Sequence, residues 1–228
     1  MKWAAAAVHV FTGLGAVCAL FATLAVMAHA PEAVFIWLGI ALIIDGVDGI
    51  FARWAKVSER LPRFSGERLD LIVDYLTYVF VPVLALLSWH YLDGMSGRVL
   101  AGLILLSSLY HFADTESKTA GNWFVGFPAI WNIVAFYVFA FGLSSTVTSV
   151  LVMAAVLATF VPMPWVHPWR VTALRTPTVL ASAAFAICAA MTLVHGFPAE
   201  PLPGTVLLTV AAYGIWLSLY SCSRQRRG

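Results

Sequence analysis

Apolar runs of membrane-crossing length recur along the whole chain, separated by short polar, Pro- or Gly-bearing segments. A helix needs about 20 apolar residues to cross the hydrocarbon core of a bilayer. Read with that window, the sequence predicts spans near 8–30, 33–52, 69–92, 97–113, 123–143, 147–166, 177–195 and 204–222. The fourth is the shortest, and it ends in His111, Asp114 and Glu116. No run shows the ten-residue alternation of a membrane barrel, so helices must satisfy the backbone. The pattern therefore predicts an all-α integral membrane protein with about eight transmembrane helices, folded as a single domain over 1–228. The first run has the outline of a signal peptide, with Lys2 ahead of it and Ala-His-Ala ending at Ala30. Its apolar stretch exceeds the 7–15 residues or so of a signal core, and Pro31 follows the would-be cut, so a retained first span is expected.

Composition agrees with a lipid solvent. Hydrophobic residues make up 61% and charged residues only 11% of the 228, against roughly 25% charged in soluble domains; mean hydropathy is +0.89. With the N-terminus inside, twelve of the thirteen basic residues fall on the inner side and only Arg98 falls outside. That asymmetry predicts an even number of spans with both termini cytoplasmic. The basic residues sit in membrane loops rather than along a stripe, which excludes nucleic acid as a partner. Cys18, Cys188 and Cys222 lie in or beside apolar runs and form no CxxC, so they read as packing residues.

Only six aspartates occur, and four lie between positions 45 and 74. Asp45 and Asp48 stand three apart near the end of the second span, and Asp70 and Asp74 four apart near the start of the third. Each pair shares one helix face. The second span runs inward and the third outward, so both pairs reach the same depth on neighbouring helices. Four converging carboxylates repel one another unless cations neutralise them. Oxygen-only ligands suit Mg²⁺ or Mn²⁺, and two such ions can clamp a phosphoryl group. Gly46, Gly49, Ala52 and Gly66 leave room beside the carboxylates, or else serve helix packing. Arg53 offers a guanidinium that matches a phosphate.

These residues resemble a known family. Asp45-x2-Asp48-Gly49-x2-Ala52-Arg53, followed by Gly66-x3-Asp70-x3-Asp74, is similar to the signature of the CDP-alcohol phosphotransferases. Twelve residues, Trp54–Ser65, separate Arg53 from Gly66, where the family usually has about eight. That longer spacer, with Gly126–Phe139 and Phe160–Val171, resembles the bacterial branch whose acceptor is choline. The resemblance implies the fold of that family and a reaction in which choline attacks CDP-diacylglycerol, giving phosphatidylcholine and CMP. It implies two divalent ions, Mn²⁺ or Mg²⁺, on Asp45, Asp48, Asp70 and Asp74, with Asp74 as general base. Gly49, Ala52 and Gly66 would line the nucleotide and Arg53 would lie near its phosphates. It also implies membrane lipids as surroundings and a homodimer as the assembly.

Choline, a quaternary ammonium, is recognised by aromatic faces, often with a carboxylate nearby. Tyr75, Tyr78, Trp123, Trp131 and Tyr137 are the candidate aromatics and Glu116 the candidate carboxylate. Lys118, Arg170 and Arg175 are inner-loop cations that either hold an anionic ligand or set topology. His111 and His167 read as satisfied or interfacial histidines, and Asn132 as a bond between helices or a site residue. Rival readings are a relative using serine, inositol or glycerol phosphate as acceptor, a divalent-cation transporter, and an inactive scaffold. A transporter needs ionisable residues leading to the outer face, and the second and third spans have no Asp, Glu, Lys or Arg in their outer halves.

Overall fold

The computed structural model describes residues 2–117, 124–165 and 174–225. The candidate residues Lys118, Trp123, His167 and Arg170 lie outside them. Among the described residues six helices are long and apolar enough to cross a membrane. They are α1 (Lys2–Met27), α2 (Pro31–Trp54), the continuous helix Gly66–Ser88, α6 (Gly94–Ala113), α9 (Arg175–His195) and α10 (Pro201–Gln225). A four-residue helix, α3 (Val57–Arg60), follows α2. The Gly66–Ser88 helix has three parts: α4 (Gly66–Asp74), a π-helical turn (Tyr75–Phe80) and α5 (Val81–Ser88).

The fifth and sixth expected spans are shorter than the pattern predicts. They form α7 (Trp131–Ala140) and α8 (Ser145–Thr159), roughly 15 and 22 Å long at 1.5 Å per residue, where the hydrocarbon core is about 30 Å. The cause is local. Pro128 and Ala129, the latter left-handed at φ 54°, delay the start of α7. Gly142, also at φ 54°, ends it, with Gly142 N–H donating to Phe139 O and Leu143 N–H to Val138 O, both at 3.1 Å. This is the paired bonding of a Schellman stop. Ser144 then caps α8, its Oγ accepting from Val147 N–H at 3.3 Å.

The chain divides into two compact units. The first comprises Met1–His90 with Trp131–Ala135. Here α1 packs along α2 and also against α4 and α5. Its buried positions Ala5, Val8, Thr12, Gly15, Ala19, Ala22 and Val26 recur at alternating spacings of three and four, which makes a straight seam of small side chains. A Cβ on Gly15 would overlap the Val73 side chain, so the missing side chain is what lets α1 and α4 meet. On α2 the buried residues Leu38, Ala41, Ile44 and Asp48 stand three, three and four apart, and this puts a carboxylate in line with an apolar seam.

The second unit comprises Tyr91–Ile130 and Phe136–Gly228. In it α6 packs on α8 and α9 on α10. Phe136, Tyr137, Phe139, Phe141, Phe185 and Phe197 form one cluster of rings, with neighbouring centroids 5.6–6.3 Å apart. Two-residue strands, β1 (Phe124–Val125) and β2 (Pro164–Trp165), pair antiparallel. Gly126 follows β1 at φ +75°, where a Cβ would strike the Thr159 carbonyl. Gly126→Ala therefore meets both a backbone penalty of about 1–2 kcal/mol and an overlap costing about 1–3 kcal/mol. Thermal unfolding of the purified protein should fall by about 5 °C or more; an unchanged midpoint would mean that this close approach contributes nothing.

Large apolar side chains face outward on most long helices, among them Leu20, Ile43, Leu180 and Val194, the last 82% exposed. Such surface belongs against lipid. The chain is a multi-pass, all-α membrane protein.

Candidate metal centre

The four aspartates are carried by two helices of the first unit. Asp45 and Asp48 lie in the last turns of α2, and Asp70 and Asp74 lie on α4. Ser65 starts α4, its Oγ accepting from Arg68 N–H at 3.2 Å, which is the side-chain cap expected ahead of a helix. The start is placed so that both α4 carboxylates face α2. Asp45, Asp70 and Asp74 each offer an oxygen, and these oxygens all lie within 4.8 Å of one another. A narrow cleft touches all four aspartates and is walled by Ala41, Ile44 and Val73. Apolar walls lower the local dielectric and strengthen every charge interaction inside. An oxygen-only donor set of this density fits a hard divalent cation.

Asp48 is set apart from the other three. It is 7% exposed, and its Oδ2 accepts a 2.7 Å hydrogen bond from Thr12 Oγ1 of α1. Asp45 is held in a similar way, its Oδ2 accepting from the Tyr78 hydroxyl at 2.7 Å. Tyr78 lies in the π turn one step beyond Asp74. That turn has Val81 N–H bonded to Leu76 O, five residues back, and Pro82 follows with no N–H to give. π turns of this kind are frequent at functional sites.

The remaining candidates fall as follows. A Cβ on Gly49 would meet the Arg53 guanidinium at 3.4 Å, so Arg53 folds back over Gly49 while remaining exposed. Ala52 packs on the cluster Ala5, Val8, Ala55 and Val57. Gly66 begins α4 where a Cβ would stand 3.2 Å from His9 Cε1. Gly46 faces open space. Tyr75 is half-buried and Trp131 fully buried, both in the first unit. Tyr137 and Glu116 belong to the second. The Tyr137 hydroxyl donates to Leu207 O at 2.8 Å, and its ring stacks on Phe141 and Phe185. Glu116 is exposed, its N–H donating to Asp114 Oδ1 at 2.9 Å. Asn132 is buried in the first turn of α7, its Oδ1 accepting from the N–H of the next residue, Ile133, at 2.9 Å. His111 is buried in α6, and Arg175 is exposed at the start of α9.

Two residues at this site escape the sequence pattern. Thr12 and His9 stand one turn apart on α1, and both reach the aspartate helices. The His9 Nε2 is buried and makes no hydrogen bond. Polar residues one turn apart in an otherwise apolar span were the available signal.

No protein-family model matches the chain. Curated relatives do. A phosphatidylcholine synthase of Bradyrhizobium diazoefficiens is 41% identical over 218 residues, covering 96% of this chain and 80% of the relative. One of Pseudomonas aeruginosa is 35% identical, covering 96% and 92%. One of Agrobacterium fabrum is 38% identical, covering 92% and 86%. Identity of this order, held over 92–96% of this chain and 80–92% of the relatives, establishes that the chain belongs to the phosphatidylcholine synthase family.

Proposed function

We propose that this chain joins choline to CDP-diacylglycerol, giving phosphatidylcholine and CMP, at the aspartate cluster of α2 and α4. The observation that carries the proposal is the close approach of Asp45, Asp70 and Asp74 in a chain related over 96% of its length to phosphatidylcholine synthases. The donor set suits two Mn²⁺ or Mg²⁺ ions held by these three residues with Asp48. When bound, such ions neutralise a diphosphate and the charge that develops on the leaving nucleotide.

The chain's own residues have separable tasks. Asp74 accepts the proton of the choline hydroxyl as the new O–P bond forms at the lipid-side phosphorus and the bond to CMP breaks. An alcohol is a weak acid, so the proton moves during attack and the base need only be within hydrogen-bond reach. Arg53 pairs with the diphosphate, and Gly49, Ala52 and Gly66 line the nucleotide. Tyr75, next to Asp74 in sequence, Tyr78, and Trp131 of the same unit are aromatic candidates for choline; Tyr137 and Glu116 belong to the other unit. Most of the rate enhancement comes from positioning and charge neutralisation.

The same reading has the cluster open to the cytoplasm in the bacterial inner membrane, with both termini on that side. Twelve of thirteen basic residues support this orientation. CDP-diacylglycerol then enters sideways from the inner leaflet and choline from the cytoplasm, and two copies assemble as a homodimer.

The deciding experiment is CMP release by the purified protein with CDP-diacylglycerol and Mn²⁺, offering choline, serine, inositol or glycerol 3-phosphate. Release with choline alone is the expected outcome. Release with another acceptor would keep the aspartate chemistry and reject choline. No release with any of the four would reject the transferase reading.

A further inference from the structure

Two hydroxyl groups reach the metal-ligand candidates from outside the aspartate pattern. Thr12 Oγ1 on α1 donates to Asp48 Oδ2, and the Tyr78 hydroxyl in the π turn donates to Asp45 Oδ2, each at 2.7 Å. Distances this short are those of charge-assisted bonds to a carboxylate. Both acceptors belong to α2, three residues apart, and the two donors come from different elements, so the α2 pair is held from two directions. The α4 carboxylates approach Asp45 across the same cleft.

The ordinary alternative for a hydroxyl in an apolar helix is to bond back to its own carbonyl four residues earlier. Thr23, Thr77, Thr159 and Thr192 do so. Thr12 instead bonds across to α2, over a sequence separation of 36. A tyrosine in lipid has its own ordinary alternative, the headgroup belt. Tyr78 is instead turned inward, and the widened turn that carries it is where the helix departs from α geometry.

We propose that Thr12 and Tyr78 are positioning residues that fix Asp48 and Asp45 in the orientation that receives divalent cations, and that Tyr78 is thereby withdrawn from choline recognition. The proposal rests on the metal reading given above. A carboxylate with one oxygen committed to a hydroxyl presents the other in a defined direction. Partners of this kind, behind the ligands themselves, typically change metal affinity or activity by about 10–100-fold when removed.

The test is Mn²⁺ titration of the detergent-purified protein without substrate, read by the Mn²⁺ electron paramagnetic resonance signal. It is paired with choline KM measured at saturating Mn²⁺. Tyr78→Phe and Thr12→Val keep the side-chain shape and remove the hydroxyl. Each is expected to weaken Mn²⁺ binding by about tenfold or more and to leave choline KM within about twofold of the parent. Thr12→Ser restores a hydroxyl and is expected to restore affinity, which separates a lost hydrogen bond from a disturbed α1–α2 seam. Unchanged Mn²⁺ affinity in both valine and phenylalanine variants, with the parent binding normally, would overturn the inference while leaving the metal reading intact. A rise in choline KM in Tyr78→Phe with unchanged Mn²⁺ affinity would return Tyr78 to the choline site and overturn it too. No Mn²⁺ binding by the parent would remove the metal reading and this inference with it.

Discussion

Replacing Asp74 by Asn lowers choline-dependent CMP release by about a thousandfold or more while the protein stays folded. The substitution keeps the size of the side chain and removes both a proton acceptor and a negative charge. Loss of a positioned general base alone costs about 10²–10⁴ in rate. The effect on stability runs the other way. Oxygens of Asp45, Asp70 and Asp74 lie within 4.8 Å of one another, and at an effective dielectric of about 20 two unit charges at that separation repel by about 3.5 kcal/mol. Without cations, removing one charge relieves repulsion. Asp74→Asn should therefore melt in chelator at or above the temperature of the parent, and lose much of the rise that Mn²⁺ gives the parent. Retained turnover would dismiss Asp74 as the base. A lower melting temperature in chelator would show that its carboxylate has a structural task instead.

Chelation is expected to reduce turnover to background, and Mn²⁺ or Mg²⁺ to return it. The same repulsion explains why. Among the described residues the cleft is lined by four aspartates, two threonines and apolar groups, with no basic side chain, and an anionic diphosphate cannot approach uncompensated carboxylates. Divalent cations invert the sign of the site. Monovalent salt at matched ionic strength serves as the control, because it screens exposed charges without supplying a ligand-bound ion. Recovery with monovalent salt alone would reduce the aspartates to a screened surface. Recovery with divalent ions only is the outcome that agrees with a bound-metal centre.

The aspartate pairs were legible because carboxylates are rare in apolar helices. Spacings of three and four put each pair on one face, and the opposite run of α2 and the next span brought the pairs to one depth. Thr12 was not legible for a complementary reason. A threonine in an apolar helix ordinarily satisfies itself on its own backbone, as Thr23 and Thr192 do, so its presence in a span says nothing about a partner. The lengths of α7 and α8 were hidden because the residues around their shared turn, Phe141, Gly142 and Leu143, are themselves mostly apolar. A hydropathy window runs across them; only Pro128 and Gly142 marked the breaks. Choline candidates could not be sorted by type and depth, since a tyrosine such as Tyr137 offers the same side chain whether its hydroxyl meets a ligand or, as here, the carbonyl of Leu207.

The π turn at Tyr75–Phe80 also divides the labour of one helix. On one side of it, α4 presents Asp70 and Asp74; beyond it, Val81, Val83, Ala85 and Leu86 are almost wholly buried. A uniform α-helix ties the azimuth of its two ends together at a fixed angle per residue. A turn with an extra residue acts as a phase offset, so the face that carries chemistry and the face that packs are set separately. The buried half of this helix can therefore accept volume-conserving apolar changes over generations while the carboxylates keep their aim.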